Sequence, residues 1–535
     1  MKKRLLFILL LVNFGFSQED AWVFFTSKPN ATTYLANPLT MLTQRALDRR
    51  EAQGIPLDQL DVPIAQTYID QVVASTGITV KAKSKWLNAL HVRGTQANIQ
   101  ALSNLSFVSS IQFANHSLNG RYSNLPATLQ PILKQMDVAV TYNYGSSANQ
   151  IQMLNGHLLH QQNYTGAGKI IAVLDTGFQN VNVATPFQRL ISNNSILGGY
   201  NYVSQNTNVF ALHNHGTMVL SCMGGYVEGQ LVGTAPDAQY YLFVTEDVTA
   251  ENPVEESYWV QAAEEADRLG ADIITSSLGY FAYDNPSYSH TYNKMTGNFA
   301  FASRGANIAF LKGIVVIASA GNSGASANPH IGVPAEATHV LSVGAVKADA
   351  TYATFSSIGP SFDGRVKPDI MAQGQAAMVA NINGEIVTAS GTSFSAPIMA
   401  GMIASFWSAV PSLTAAQVVQ FVKQSADRFS APTNLYGFGI PDFLLALTQA
   451  QQMDQLENDG YAIYPNPMDH EMKVDLTAQF TKVRLNLFNN LGQKVLDRML
   501  TSDFQTLNVA HLSPGIYFYT LDTNNKSFQG KLVKQ

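Results

Sequence analysis

The sequence predicts an α/β fold: a mostly parallel sheet with helices on both faces, preceded by a small α+β unit and followed by a small β-sandwich. Three observations carry this. From about Tyr144 to Leu445, apolar β-branched runs alternate with helical patterns, as in parallel sheets buried on both faces. Ahead of that stretch, strand-like segments flank a short capped helix. Beyond residue 460, short alternating segments are separated by turn residues, which suits a sandwich. A chain of 535 residues has room for about three domains.

Composition narrows the function classes. Lys and Arg total 32 against 37 Asp and Glu, a net charge of −5, so no cationic field is available to hold nucleic acid. Charged residues make up only 13% of the chain, so the polar surface rests on Asn, Gln, Ser and Thr. At 46% hydrophobic the chain can fill large cores, which excludes wholesale disorder. Cys222 is the single cysteine, so no intramolecular disulfide forms.

Residues 1–17 read as a signal peptide. Lys2, Lys3 and Arg4 precede an apolar run from Leu5 to Val12, and Gly15 and Ser17 are the small residues of a cleavage site. The run is too short to cross a bilayer, and no later stretch reaches the ~18 apolar residues of a membrane span. A buried N-terminal helix would not carry this charge order. Export is expected, with Gln18 the first residue after removal of the leader.

Residues 18–125 follow as the α+β unit. Ala21 to Phe25, Ala89 to Val92 and Val108 to Phe113 read as strands, and Thr95 can cap a helix carrying Ile99 and Leu102. With Ser84-Lys85-Trp86-Leu87-Asn88-Ala89, the unit resembles the inhibitory propeptide of secreted subtilases; an ordinary accessory domain is the alternative. The resemblance implies a segment that fills the substrate cleft and assists folding of a slow parallel sheet. Its cleavage point is expected between Asn115 and Val140.

In the middle region, residues 140–450, Lys169 to Leu174 is a buried strand that ends at Asp175-Thr176-Gly177. Asn252 and Pro253 start a helix that ends at Gly270, and Ala271 to Thr275 and Ile314 to Ala318 are further strands. Ligand sites in such sheets lie beyond the C-terminal strand ends, where Asp175 sits. His215-Gly216-Thr217-Met218-Val219 opens one helix. Gly391-Thr392-Ser393-Phe394-Ser395-Ala396-Pro397 opens another, with Pro397 expected in its first turn.

Each residue alone has an ordinary reading: Asp175 as a turn cap, Ser393 as a helix cap, Asn322 as a turn residue. His213 competes with His215, and the two with Asp175 could be metal ligands, but no further ligand set at metal spacing appears. Taken in order, Asp175, His215 and Ser393 resemble the subtilase family of serine proteases. Ser277-Leu278-Gly279, Ala320-Gly321-Asn322, Val333-Pro334-Ala335, Ser342-Val343-Gly344-Ala345 and Lys367-Pro368-Asp369-Ile370 support the match. The resemblance implies a nucleophilic Ser393, His215 as its base, Asp175 orienting the histidine, and Asn322 with the Ser393 N–H as oxyanion donors.

It further implies that Ser277, Leu278, Gly279, Ala320 and Gly321 pair with an extended peptide, and that Val333-Pro334 is a cis bond. Few charges near these segments suggest an apolar or broad side-chain preference. Met218 and Gln373 depart from the common pattern without touching a catalytic group. Cys222, two helical turns past His215 on the same face, either packs beneath that histidine and confers thiol sensitivity or is a small buried hydrophobe. No cofactor is required; relatives often carry structural calcium, but no ligand cluster identifies a site here.

Residues 451–460, polar from Asp454 to Gly460, read as a linker. Residues 461–535 carry strand-like segments at Lys473 to Leu476, Val483 to Phe488, Lys494 to Leu496, Ile516 to Leu521 and Phe528 to Val533. Tyr464-Pro465-Asn466-Pro467, Asn490-Leu491-Gly492-Gln493, Leu512-Ser513-Pro514-Gly515-Ile516-Tyr517 and Lys531-Leu532-Val533-Lys534 give this segment a resemblance to the C-terminal sorting domain of type IX secretion. A carbohydrate- or protein-binding sandwich is the alternative.

The expectation is a secreted or surface-bound monomeric serine endopeptidase. Its partners would be a protein or peptide substrate, its own propeptide and the type IX secretion machinery, without nucleic acid. The competing readings are a catalytically silent peptide-binding or adhesion scaffold, and an esterase.

Overall fold

The computed structural model describes residues 18–119 and 142–534, apart from 478–479, 481–482, 501–503 and 524–525. The expected leader, and most of the region between Asn115 and Val140, lie outside the described residues.

The N-terminal unit contains β1 (Gln18–Phe25), α1 (Gln44–Ala52), β2 (Thr79–Ser84), β3 (Ala89–Thr95), α2 (Gln96–Ala101) and β4 (Val108–Phe113). Its strands form an antiparallel sheet in the order β2-β3-β1-β4. Thr95 caps α2 by accepting the Asn98 N–H at 3.2 Å. Strand alternation sends Ala21, Val23 and Phe25 against Ile99 and Leu102 on one face. Trp22 leaves by the other face and stacks on Phe301 of the middle domain at 5.1 Å.

In the middle domain, β5 (Ile170–Asp175), β6 (Ile196–Asn201), α3 (His215–Gly224), β7 (Gln239–Val244), α4 (Val254–Leu269), β8 (Ile273–Ser276), α5 (Phe301–Leu311), β9 (Val315–Ser319), β10 (Leu341–Val346), β11 (Ile370–Gln373), α6 (Thr392–Ala409), α7 (Ala415–Gln424) and α8 (Phe443–Asp459) follow one another. The sheet order is β11-β10-β9-β8-β5-β7-β6, and each adjacent pair is parallel. Strand β5 lies inside this sheet and is buried along its whole length, which is why its sequence reads as unbroken Ile, Ala, Val and Leu. The chain leaves β5 toward β6 and β7 on one side and returns to β8 on the other. Asp175 therefore stands where the strand order reverses, the usual place for a ligand crevice.

Two expectations need correction. Pro397 is not in the first turn of α6 but is the sixth residue of a helix that begins at Thr392. The missing N–H is tolerated because the carbonyl it would have bonded, that of Ser393, takes a side-chain donor instead. The expected linker is the end of α8. Gly460, at φ +77°, closes that helix by donating its N–H to Leu456 O at 3.1 Å. The polar run serves contact, since Gln455 donates to the Tyr519 hydroxyl at 3.3 Å and accepts the Ile463 N–H at 3.4 Å.

The C-terminal domain pairs β12 (Tyr461–Tyr464), β13 (Glu471–Leu476) and β16 (Phe504–Asn508) in one sheet. β14 (Val483–Phe488), β15 (Lys494–Leu500), β17 (Gly515–Asp522) and β18 (Ser527–Lys534) form the other. Ile463, Met472, Val474, Leu485, Leu487, Tyr519 and Leu521 share its core.

Candidate active site

Strand β5 delivers Asp175 to the crevice floor, and the loop before α3 brings His215 over it. The close approach depends on the next residue: a Cβ on Gly216 would lie 2.4 Å from Gly177 O and 3.0 Å from Asp175 Cβ. His215 Nδ1 then reaches Asp175 Oδ1 at 2.7 Å. Asp175 is fully buried, and the same oxygen also accepts the Thr176 N–H at 2.8 Å and the Thr176 hydroxyl at 3.2 Å. Burial pulls the His215 pKa down, but the charge and hydrogen bond of Asp175 outweigh it and leave the imidazole more basic than its ordinary value of 6.5.

Ser393 is the second residue of α6. Its Oγ turns toward Ser277 O at 3.5 Å, and among the described residues no hydrogen bond joins it to His215. The neighbouring Phe394 ring lies 6.1 Å from the imidazole centroid. Because Pro397 frees the Ser393 carbonyl, that oxygen accepts from Ser277 Oγ at 2.9 Å, which ties the start of α6 to the loop after β8.

Asn322 is held from behind. Its Oδ1 accepts both the N–H and the hydroxyl of Thr392, at 2.9 and 3.0 Å, which identifies the oxygen and leaves Nδ2 a donor without a partner among the described residues. A Cβ built on Gly391 would sit 3.4 Å from that Nδ2 and 3.7 Å from Ser393 N. Glycine there keeps open the space that two hydrogen-bond donors face.

Ser277, Leu278, Gly279, Ala320 and Gly321 all line one cleft with Asn322 and Ser393, a cavity of about 380 Å³. Tyr280 and Val333 exchange backbone hydrogen bonds at 2.8 and 3.2 Å and fix one wall. Val333-Pro334 is cis.

Sequence reasoning passed over three members of this site. Thr176 and Thr392 sit inside the motifs as quoted, but their hydroxyls buttress Asp175 and Asn322. His213, weighed as a rival base and as a possible metal ligand, contacts the Thr176 hydroxyl through Nδ1 at 3.1 Å. Cys222 is fully buried, with its thiol toward Met218 O at 3.6 Å and its pKa pushed well up by burial. No group of three or more His, Cys, Asp or Glu among the described residues is placed to hold a metal ion.

Residues 166–439 match the subtilase family. The chain belongs to that family. Its N-terminal unit matches the peptidase S8 propeptide domain of Bacteroidota over residues 20–130, and residues 462–535 match the secretion system C-terminal sorting domain. This subtilase is 29% identical over 304 residues to subtilisin DY of Bacillus licheniformis, covering 56% of this chain and 97% of the relative. It is 30% identical over 308 residues to serine protease AprX of Bacillus subtilis, covering 52% and 66%. The epidermin leader peptide processing serine protease of Staphylococcus aureus superposes with a TM-score of 0.53 at 17% identity. That likeness, which covers 81% of this chain and 99% of the other, supports the fold. The subtilase is thus a serine-type endopeptidase with a propeptide ahead of it and a sorting domain for export behind it.

Proposed function

We propose that this subtilase hydrolyses peptide bonds through Asp175, His215 and Ser393 by way of an acyl-enzyme. The observation that carries the reading is the 2.7 Å bond from His215 Nδ1 to buried Asp175, with the His215 ring beside Phe394, the residue after Ser393, and with Ser393 and Asn322 lining one cleft. That bond leaves Nε2 as the imidazole's free nitrogen. A rotation of the Ser393 side chain away from Ser277 O, of the kind common when substrate binds, would bring Oγ toward it.

In the reaction Oγ bonds to the scissile carbonyl carbon while His215 Nε2 takes the hydroxyl proton. The carbonyl oxygen gains the negative charge, and Asn322 Nδ2 and the Ser393 N–H donate to it. His215 passes its proton to the departing amine as the C–N bond breaks. Water then repeats the sequence on the ester, and Asp175 stabilises the imidazolium in both halves. No cofactor enters these steps. Ser277 to Gly279 and Ala320 to Gly321 would bind the substrate as an added strand.

We place the mature enzyme outside the cell or on its surface. A leader would carry it to the periplasm, and the sorting domain would present it to the type IX machinery as a monomer. A silent peptide-binding scaffold would have no use for the Asp175–His215 bond or for a fixed Asn322 amide.

Fluorophosphonate labelling of the secreted protein beside its Ser393→Ala variant tests the reading. Labelling that vanishes with Ser393 supports it. No labelling of a folded, processed protein overturns it in favour of the scaffold.

A further inference from the structure

The cleft that holds Ser393 is polar along one stretch, where Ser323, Ser326, Asn328, His330 and Ser357 line it. Among the described residues no Asp, Glu, Lys or Arg lines it, which leaves His330 as the lining group able to carry positive charge. The scarcity of charge that suggested an apolar preference in the sequence is thus a cleft of hydroxyls, amides and one imidazole.

Backbone bonds hold His330 in register with the start of α6. Gly321 donates its N–H to the Thr392 hydroxyl at 3.1 Å and accepts the Ser357 N–H at 2.8 Å. Ser357 Oγ accepts the Ser323 N–H at 3.0 Å. On the next residue, Ile358 N donates to Pro329 O at 2.8 Å, and Ile358 O accepts the Ile331 N–H at 3.1 Å, one bond on each side of His330. The histidine is tied in this way to Thr392, the residue before Ser393.

The ring is fixed as well. It stacks on Tyr292 with centroids 3.9 Å apart and planes 17° from parallel. The Tyr292 hydroxyl donates to Pro360 O at 2.9 Å, and Phe362 meets the tyrosine ring edge-on at 5.4 Å. His330 Nδ1 is buried without a hydrogen-bond partner among the described residues, so Nε2 is the nitrogen left open to a ligand. Asp363, whose charge acts on Tyr292, is taken up by Arg365 at 2.8 Å and by the Ser361 hydroxyl at 2.6 Å.

Resting on the protease reading above, we infer that the cleft selects an acidic side chain, Glu or Asp, at the substrate residue whose carbonyl Ser393 attacks, with His330 Nε2 as its partner. One cavity of about 380 Å³ is lined by both Ser393 and His330, so the side chain next to the scissile carbonyl is the one that reaches the imidazole. A carboxylate entering the cleft loses water, and only donors already in place offset that loss. His330, the Ser326 hydroxyl and the Asn328 amide supply them, and the Tyr292 stack orders the imidazole beforehand. A Lys or Arg side chain would meet no anion in the lining. A Leu or Phe side chain could touch Leu278 and Phe281 but would cover the open imidazole and leave it unpaired. Sites built to bond a polar group reject analogues that lack it.

The test uses the processed, secreted enzyme and four peptides that differ only at that residue: Glu, Gln, Leu or Arg. kcat/KM should be highest for Glu, with Gln at least ~10-fold lower. His330→Ala should lower the Glu-to-Leu ratio of kcat/KM by ~10–100-fold. Should the alanine variant fail to melt cooperatively, His330→Gln fills the space beside Tyr292 without a charge and should lower the Glu-to-Gln ratio. A parent that reacts with fluorophosphonate yet cuts the Leu or Arg peptide faster than the Glu peptide overturns the acidic preference and spares the triad. Unchanged ratios in a folded variant remove His330 as the partner. A parent that neither reacts with fluorophosphonate nor cuts any of the four fails at the triad, and the acidic preference falls with it.

Discussion

The backbone N–H of His215 donates to Nδ1 of His213 at 3.3 Å, which makes Nδ1 the accepting nitrogen of that ring. The same Nδ1 lies 3.1 Å from the Thr176 hydroxyl, which is itself 3.2 Å from Asp175. His213 thus steadies both partners of the Asp175–His215 bond without facing the cleft as a base. His213→Asn, which restores an acceptor, should stay near parental kcat. His213→Ala should lose ~3–10-fold in kcat with little change in KM. Steady-state kinetics on a peptide substrate check both variants.

Asp175→Asn removes the charge that holds the His215 pKa up and leaves the burial that pulls it down. Activity requires neutral His215, so in the parent it should rise through a midpoint above 6.5, and in the variant through one below it. Turnover itself should drop ~10⁴-fold. The sign for stability is opposite. The raised pKa stabilises the fold below the unfolded value, and that contribution fades as pH climbs through the folded one. A pH–rate profile beside a pH–melting series separates the two.

Asn322→Ala should lower kcat by ~10²–10³-fold and leave KM nearly unchanged, because its Nδ2 meets charge that exists only in the transition state. Loss in KM alone would remove Asn322 from the oxyanion role.

Ser277→Ala leaves the Ser393 carbonyl without the donor that replaces Pro397's missing N–H. The expected cost is about 1–3 kcal/mol of stability, read by thermal or denaturant unfolding. Ser277→Thr keeps the hydroxyl and should recover most of it.

Cys222 should resist thiol reagents in the folded protein and react only after denaturation, since it is buried among apolar neighbours with its thiolate strongly disfavoured. Rapid native labelling with loss of activity would contradict this.

How far the sequence could be read depended on what each residue advertises. Ile170 to Leu174 announced a doubly buried strand because every position is apolar, and Asn252, Pro253 and Gly270 marked α4 through backbone chemistry specific to helix ends. β2 went unread because Thr79 to Ser84 alternates two lysines with small residues, and a polar edge strand shows no apolar face. β16, with its exposed phenylalanine and polar residues, hid for the same reason. Within the site, the order of Asp175, His215 and Ser393 was plain, but the hydroxyls of Thr176 and Thr392 were invisible until folding gave them partners. Arg49 and Arg50 show the limit most clearly. Consecutive arginines read as solvated surface, and only the facing Asp267, more than 200 residues away, makes them interior.

The unbroken α8 turns the join between enzyme and sorting domain into a strut. Phe443, Ala446, Leu447 and Ala450 sink into the peptidase core, and the same rod continues to Gly460 at the edge of the sandwich. Seventeen residues at ~1.5 Å each make a rod of ~25 Å, its first half within the peptidase core and Gln455 near its end bonded to Tyr519 of the sandwich. An export apparatus that grips the sandwich would therefore meet the folded enzyme at one angle. A protease that cut within residues 451–459 would first have to fray that helix, so cleavage there should slow once the enzyme in front of it has folded.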